Sequence, residues 1–180
     1  MPGSSSAGRN EGMNFVFGRL HSDAPNILDV GPGAGQWFDL LAPWYPDAYW
    51  CAVEIFEPYV ERYQLRKKYN SVYVADIREL AKALPHQDLA IFGDVLEHLP
   101  KHDACEVIVA LDFRFLLLSV PLGYCPQEPT EENPYEEHVA SWEAHEILSL
   151  FPVVEAFVGP DPIKHNGLDI NRGVFLLEKR

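Results

Sequence analysis

The stretch "NILDVGPGAGQW", residues 26–37, decides the fold class. Its apolar run predicts a buried strand, and that run carries one acid, Asp29. Three glycines follow at alternate positions, and these are Gly31, Gly33 and Gly35. Because glycine has no Cβ, such a turn lets the backbone approach a ligand closely where the strand ends. The residues after the turn, "GQWFDLLAPW", predict a helix.

The same alternation of strand and helix continues along the chain. Further strands are expected at "AYWCAVEI", "SVYVAD", "DLAIFGD" and "FRFLLLSVP", with helices between them. Asp76 is placed to cap the helix "IRELAKAL", and Ser141 to cap "WEAHEILSLF". Two closing strands, "VVEAFVG" and "GVFLLEK", have no helix between them and should pair antiparallel. The pattern predicts an α/β fold built of parallel βαβ units.

Length and composition predict one domain. Residues 1–12, "MPGSSSAGRNEG", are small and polar and are expected to be flexible. Residues 13–180 then form a single domain, in which "FVFGRL" is a short lead-in helix. No apolar run approaches the roughly 20 residues of a membrane helix, and no signal-peptide pattern is visible. We therefore expect a cytoplasmic protein without membrane partners.

Charge and cysteine content exclude several classes of partner and site. The chain has 14 Lys and Arg against 27 Asp and Glu, a net charge of -13. An extended nucleic-acid surface needs a basic face, which this balance disfavours. The three cysteines are far apart and form no C-x-x-C pair, so neither a disulfide framework nor a zinc site built on them is expected.

The glycine turn resembles motif I of class I S-adenosylmethionine-dependent methyltransferases, D-x-G-x-G-x-G. It departs from the dinucleotide fingerprint G-x-G-x-x-G, because Gln36 occupies the third glycine position. The resemblance implies a Rossmann-like doubly wound sheet of seven strands in the order 3-2-1-4-5-7-6, with the last strand antiparallel. It also implies S-adenosylmethionine as the cofactor.

Three later motifs extend the resemblance over residues 26–180. In that family an acid at the end of strand two binds the ribose hydroxyls, and an acid after strand three lies near the adenine. A motif written D-V-x-E-H-L follows strand four, and here "GDVLEHLP" stands there. The resemblance implies that the cofactor-binding residues are Asp29, Gly31, Gly33, Gly35, Glu54, Ile55, Asp76, Ile77 and Asp94.

Acid and histidine side chains near the predicted site are the candidates for catalysis. If the methyl acceptor must lose a proton, a general base accelerates the transfer. The candidate catalytic residues are Glu97, His98 and His138. These three residues and Asp94 also form a mixed carboxylate and imidazole set of the kind that binds divalent metals. A third alternative gives Glu97 and His98 only the role of organising the cofactor pocket, and the interpretation assigns no metal.

The loop of residues 121–140 is too long for a simple connection. It follows strand five, so it is expected to form part of the acceptor pocket. The side chains that could line the pocket are Tyr124, Tyr135, His138 and Trp142. The glutamates of the loop either suit a cationic acceptor or are simply solvated.

The function expected from these residues is methyl transfer from S-adenosylmethionine to an oxygen or nitrogen of a small-molecule acceptor. Two alternatives remain open. One is a non-catalytic subunit or sensor that binds the same cofactor. The other is a nicotinamide-dependent oxidoreductase. A homo-oligomer or a complex with a partner subunit is compatible with the sequence.

Overall fold

A single seven-stranded sheet organises the computed structural model, which describes residues 7–162, 164 and 167–179. The strands are β1 (Asn26–Val30), β2 (Tyr49–Glu54), β3 (Ser71–Val74), β4 (Gln87–Gly93), β5 (Phe113–Leu122), β6 (Val153–Pro160) and β7 (Asn171–Glu178). Their order is β3-β2-β1-β4-β5-β7-β6. Strands β1 to β5 pair in parallel, while β7 is antiparallel to both of its neighbours. The predicted fold class, order and closing pair are confirmed.

Seven α-helices connect or flank these strands in the described part of the chain. They are α1 (Arg9–Arg19), α2 (Gln36–Leu41), α3 (Glu57–Arg62), α4 (Leu65–Lys68), α5 (Ile77–Leu80), α6 (Lys101–Ala110) and α7 (Ala144–Leu150). Short 3-10 helices cover Ala42–Trp44, Leu96–His98 and Pro134–Glu136.

Helix ends differ from the predicted ones for local reasons. The single helix expected after β2 is two, because Gln64 adopts a left-handed conformation with φ 53° between α3 and α4. Helix α7 is capped by Glu143 rather than by Ser141, because Glu143 and Glu146 form a reciprocal capping box. The cap predicted for α5 is confirmed, since Asp76 accepts a bond from the Arg78 backbone N–H at 2.9 Å.

Helix α1 begins at Arg9, within the segment 1–12 that was expected to be flexible, and is longer than the predicted "FVFGRL". Residues 1–6 lie outside the described residues. The helix packs beside β7 and β6, where a Cβ on Gly8 would come within 2.4 Å of the Val174 side chain. An ion pair of 2.7 Å between Arg19 and Glu155 links the other end of α1 to β6.

Two apolar layers cover the faces of the sheet. On one face, side chains such as Leu28 and Leu116 pack with α6 and α7. On the other face, Ile27 and Leu117 pack with α1 to α4. Alternate residues of a strand point to opposite faces, so strands such as β1 and β5 contribute to both layers. Within the described residues no helix combines the length and the apolar character that crossing a membrane requires.

The sheet order determines where a site can form. The chain leaves β1 toward β2 on one side and later returns to β4 on the other side. This reversal opens a crevice at the carboxyl ends of β1, β2 and β4. The glycine turn, the end of β2 and the residues after β4 all meet there.

Lys179 stabilises the C-terminal end of α6. Its Nζ donates to the carbonyl oxygens of Ile108, Val109 and Leu111 at 2.8, 3.0 and 2.7 Å. The last carbonyls of a helix have no intrahelical donors, so a cation there supplies both hydrogen bonds and a favourable charge.

We expect Lys179→Met to keep the packing of the aliphatic part of the side chain but to remove these three hydrogen bonds. The free energy of unfolding should fall by about 1–3 kcal/mol, the range for hydrogen bonds to a charged group. Urea unfolding measures this change, with the exposed Lys82→Met as the control. An equal decrease in the free energy of unfolding in both variants would show that the end of α6 does not depend on Lys179.

Candidate functional site

A cavity of about 420 Å³ opens at the carboxyl ends of the central strands. Most residues that the sequence predicted for the site line it, and these are Gly31, Gly33, Glu54, Ile55, Asp76, Ile77, Asp94, Glu97, His98 and His138. Asp29 and Gly35 do not line the cavity. Residues more than 80 positions apart therefore share one concave surface, the usual form of a small-molecule site.

The glycine turn forms one wall of the cavity. Gly31, Gly33 and Gly35 all have left-handed φ angles, of 60°, 51° and 77°. A Cβ on Gly33 would meet no atom within 4 Å, so this backbone position faces open space. A Cβ on Gly35 would instead lie 3.1 Å from the Lys68 side chain, beside the start of α2. Gly33 thus permits close approach of a ligand, and Gly35 starts the helix.

Glu54 stands beside this turn at the end of β2. Its carboxylate is buried and accepts the Phe56 backbone N–H at 2.9 Å. Burial raises the pKa of Glu54, and the backbone amides of Phe56 and Gly33 act in the opposite direction. The result is a carboxylate, held by backbone amides, on the cavity wall where a ligand hydroxyl can donate to it.

Asp76 lines the cavity but is already bonded. Its two carboxylate oxygens accept from the Arg78 guanidinium at 2.6–3.1 Å, and Arg78 also pairs with Asp103 at 2.9 Å. Burial acts to raise the pKa of Asp76, but the bonds from Arg78 lower it overall. Ile77 adds an apolar surface next to this ion pair.

Asp29, which the resemblance implies as a cofactor-binding residue, does not line the cavity. It is 1% exposed and accepts a hydrogen bond of 2.6 Å from the Tyr69 hydroxyl. The side chain points to the same sheet face as Ile27. Burial raises the pKa of Asp29 to about 7, although the bond from Tyr69 lowers it.

Arg172 is a wall residue that the sequence did not indicate. It is 1% exposed and pairs with Asp94, while its Nε donates to Asp161 at 2.9 Å. Burial acts to lower the pKa of Arg172, but Asp94 and its other acidic neighbours raise it overall. Asp94 itself has a left-handed φ of 59°, so its carboxylate is held in the cavity by a strained turn and a buried cation.

Glu97, His98 and His138 come together although 40 residues separate the two histidines. The centroids of the two imidazole rings lie 4.9 Å apart. One possible ligand atom from each of the three residues lies within 4.8 Å of the other two. Burial and the neighbouring Asp94 raise the pKa of Glu97 well above its ordinary value. These side chains can hold or move a proton, or bind a cation, at the cavity wall.

The loop between β5 and α7 contributes to the cavity through its middle part. Glu136 accepts the Tyr59 hydroxyl at 2.9 Å, which fixes the 3-10 helix of residues 134–136 to α3. Burial is the main reason that the pKa of Tyr59 rises to about 12. Tyr135 and His138 line the cavity as predicted. The other two expected side chains do not, because Tyr124 is 73% exposed and Trp142 is buried in the core.

Helix α1 and Trp37 form a further part of the cavity wall. Trp37 and Arg9 both line the cavity. A Cβ on Gly93 would come within 2.3 Å of the Trp37 indole, and one on Gly12 within 2.9 Å. The indole therefore lies between α1 and β4 at two glycines. No local sequence signal marks Trp37, because its position depends on where α1 packs.

The comparison with protein families now identifies the chain. Residues 10–152 match the family described as methyltransferase domain. The chain belongs to this family. No curated protein is similar enough in sequence to be recognised as a relative.

Solved structures share the fold of this methyltransferase domain. The N-terminal domain of EvdMO1, with S-adenosylhomocysteine bound, gives a TM-score of 0.70 at 15% identity and covers 98% of this chain and 82% of its own. The Burkholderia thailandensis 1,6-didemethyltoxoflavin-N1-methyltransferase gives a TM-score of 0.62 at 18% identity, and the match covers 96% of this chain and 79% of that one. The mitomycin 7-O-methyltransferase MmcR gives a TM-score of 0.60 at 16% identity, and the match covers 97% of this chain and 55% of that one. At these identities the likeness establishes the fold.

The raised pKa of Asp29 has a consequence for stability. The pKa of this carboxyl is near its ordinary value of 3.8 in the unfolded chain and about 7 in the folded protein. Folding therefore takes up a proton between these values, so rising pH destabilises the fold across this window. The slope is at most about 1.4 kcal/mol per pH unit for one proton.

We expect Asp29→Asn to remove this slope while keeping an acceptor for Tyr69. The difference in unfolding free energy, wild type minus variant, should fall between about pH 4 and pH 7 and then level off. Urea unfolding at several pH values measures it. A difference that stays constant with pH would mean that Asp29 ionises at its unfolded pKa.

Proposed function

We propose that this methyltransferase domain transfers a methyl group from S-adenosylmethionine to an oxygen or nitrogen of a small molecule. The observation that carries the proposal is the content of one cavity. A glycine backbone open to the cavity, the adjacent carboxylate of Glu54 and the cluster of Glu97, His98 and His138 all line it. The first two suit a nucleoside cofactor, and the cluster suits activation of an acceptor.

The cofactor-binding role falls to the wall made by β1, β2 and β3. The backbone at Gly31 and Gly33 permits close approach, and Glu54 accepts from ribose hydroxyls. Ile55 and Ile77 supply apolar contacts for the adenine. S-adenosylmethionine, when bound, supplies a methyl group already activated on a sulfonium. The protein's work is then mainly to position and align the reactants.

The acceptor-activating role falls to Glu97, His98 and His138. A hydroxyl or amine that attacks the methyl carbon must lose a proton, and a positioned base contributes roughly 10²–10⁴-fold. The three residues line the same cavity as Glu54. Oxygen is the favoured acceptor atom, because an alcohol or phenol depends more than an amine on a base that removes its proton.

The size and cover of the cavity favour a small acceptor. The volume is about 420 Å³, and residues of both the loop and α1 line the cavity. The Burkholderia thailandensis neighbour holds 1,6-didemethyltoxoflavin, and MmcR is a mitomycin methyltransferase, so the same fold serves compact acceptors. The net charge of -13 argues against an extended nucleic-acid acceptor.

The family match supports a methyltransferase over the nicotinamide-dependent oxidoreductase. Calorimetry distinguishes the two directly. The protein should bind S-adenosylhomocysteine with a micromolar Kd and should not bind NAD. Formation of S-adenosylhomocysteine from S-adenosylmethionine with a panel of phenols, alcohols and amines then separates an enzyme from a non-catalytic subunit, which would bind the cofactor without turnover.

Gly33→Val should abolish binding of S-adenosylhomocysteine, because the added methyl groups would occupy the open space that Gly33 faces. The matched control is Gly123→Val. Gly123 also has a left-handed φ, of 83°, but lies outside the cavity. Isothermal calorimetry measures both variants. Equal affinity in the two variants would show that the cofactor does not lie against Gly33.

Glu54→Ala should weaken the same ligand by about 1–3 kcal/mol, the range for hydrogen bonds to a charged group. The exposed Glu61→Ala on α3 serves as the control for net charge. Calorimetry measures the Kd of S-adenosylhomocysteine for both variants. Unchanged affinity in Glu54→Ala would place the ribose elsewhere.

A further inference from the structure

Glu97, His98 and His138 form a cluster of donor atoms on the cavity wall, with one atom from each residue within 4.8 Å of the others. We infer that this cluster binds one divalent transition metal ion. Its imidazoles, its carboxylate, its backbone support and the chemistry of its donor set all suit such an ion.

Both imidazoles are held in the form that binds metals. The Nδ1 of His98 lies 2.8 Å from the carbonyl oxygen of Glu137, and the Nδ1 of His138 lies 2.6 Å from that of Cys125. A carbonyl oxygen only accepts hydrogen bonds, so in both neutral rings Nδ1 carries the proton. The Nε2 atoms therefore carry the lone pairs. A backbone carbonyl on the second ring nitrogen is the usual means of orienting a metal-binding histidine.

The carboxylate of Glu97 requires a partner. The residue is 2% exposed, and among the described residues nothing forms a hydrogen bond to its Oε2. A buried polar atom without a partner is rare and costly, and it calls for a specific explanation. A cation held between Glu97 and the two imidazoles satisfies this oxygen.

The backbone brings the two segments of the cluster together without a metal. The carbonyl oxygen of Glu97 accepts the N–H of Val139 at 2.9 Å and that of Ala140 at 3.0 Å. With the bond between His98 and Glu137, these contacts join the turn after β4 to the loop after β5. The site is thus preformed. Ligand atoms of a tetrahedral ion lie about 3.3 Å apart, given metal–ligand bonds near 2.0–2.1 Å, so side-chain rotations complete it.

The donor set selects the class of ion. Two imidazoles and one carboxylate are ligands of Zn²⁺ and other transition metals, whereas Mg²⁺ and Ca²⁺ prefer oxygen ligands. Asp94 is not part of the set, because it pairs with Arg172. Three protein ligands leave a tetrahedral ion one open position, which is the arrangement of catalytic zinc sites.

One consequence rests on the proposed function. With the ion bound, the three side chains are its ligands and the ion replaces them as the activating group. An acceptor hydroxyl at the open position would lose its proton more readily, because the ion lowers its pKa. The oxygen lone pair then forms the C–O bond, the electron pair of the broken C–S bond goes to sulfur, and the proton passes to bulk water. Metal binding itself does not depend on this step and is tested separately.

The test is calorimetry on tag-free, metal-stripped protein titrated with ZnCl₂ and, separately, with MgCl₂. We expect one Zn²⁺ site of micromolar or lower Kd and no binding of Mg²⁺ at millimolar concentration. His98→Ala, His138→Ala and Glu97→Gln should each weaken Zn²⁺ at least tenfold. The control is the exposed pair on α6, His102→Ala with Glu106→Gln, which should leave the Kd unchanged. Circular dichroism checks that each variant is folded.

Three results would overturn the inference. These are no Zn²⁺ binding by the wild type, a Zn²⁺ affinity that the three variants retain, or a loss of affinity in the His102/Glu106 control instead. Titration of the metal-stripped protein with S-adenosylhomocysteine keeps the two proposals apart. Zn²⁺ binding without cofactor binding would leave the metal site standing and remove the proposed function. The reverse would remove only the metal site.

Discussion

The left-handed glycine turn after β1 is the constraint on which the rest of the site depends. β1 is central, with β2 on one side and β4 on the other, so the chain that leaves it must turn away at once. The backbone N–H of Gly31 bonds the carbonyl oxygen of Val53 at 2.8 Å, which keeps the turn against the end of β2. Three positive φ angles in five residues then open the crevice that the other wall residues share.

The remaining walls come from segments that are remote in sequence and joined by few bonds. The loop after β5 is tied to α3 by Glu136 and Tyr59, and to the turn after β4 by the carbonyl of Glu97. Helix α1 contributes Arg9 to the cavity wall and packs through Gly12 against the Trp37 indole of α2, which also lines the cavity. The family's common fold supplies the sheet, and these additions give this chain its own cavity shape.

Buried charge is concentrated around this cavity. Arg172 lies between Asp94 and Asp161, Glu54 is held by backbone amides, and Glu97 keeps an oxygen without a partner among the described residues. Such groups destabilise a fold unless they are paired, so their concentration at one place indicates a functional site rather than a structural one. Asp29 shows the contrast, because it does not line the cavity and it accepts a hydrogen bond from the Tyr69 hydroxyl.

The sequence by itself determined the local elements: the period of the strands, the glycine turn, the cap at Asp76, and the acids and histidines at strand ends. These follow from side-chain pattern and backbone freedom within a few residues. The tertiary structure alone decided that Arg172 reaches Asp94, that Trp37 forms a wall, that Asp29 faces Tyr69, and that His98 meets His138. Those contacts depend on which strands are neighbours and on how a loop and a helix pack over them. No local pattern encodes such long-range pairing, because its free energy comes from surfaces that meet only when the whole sheet has formed.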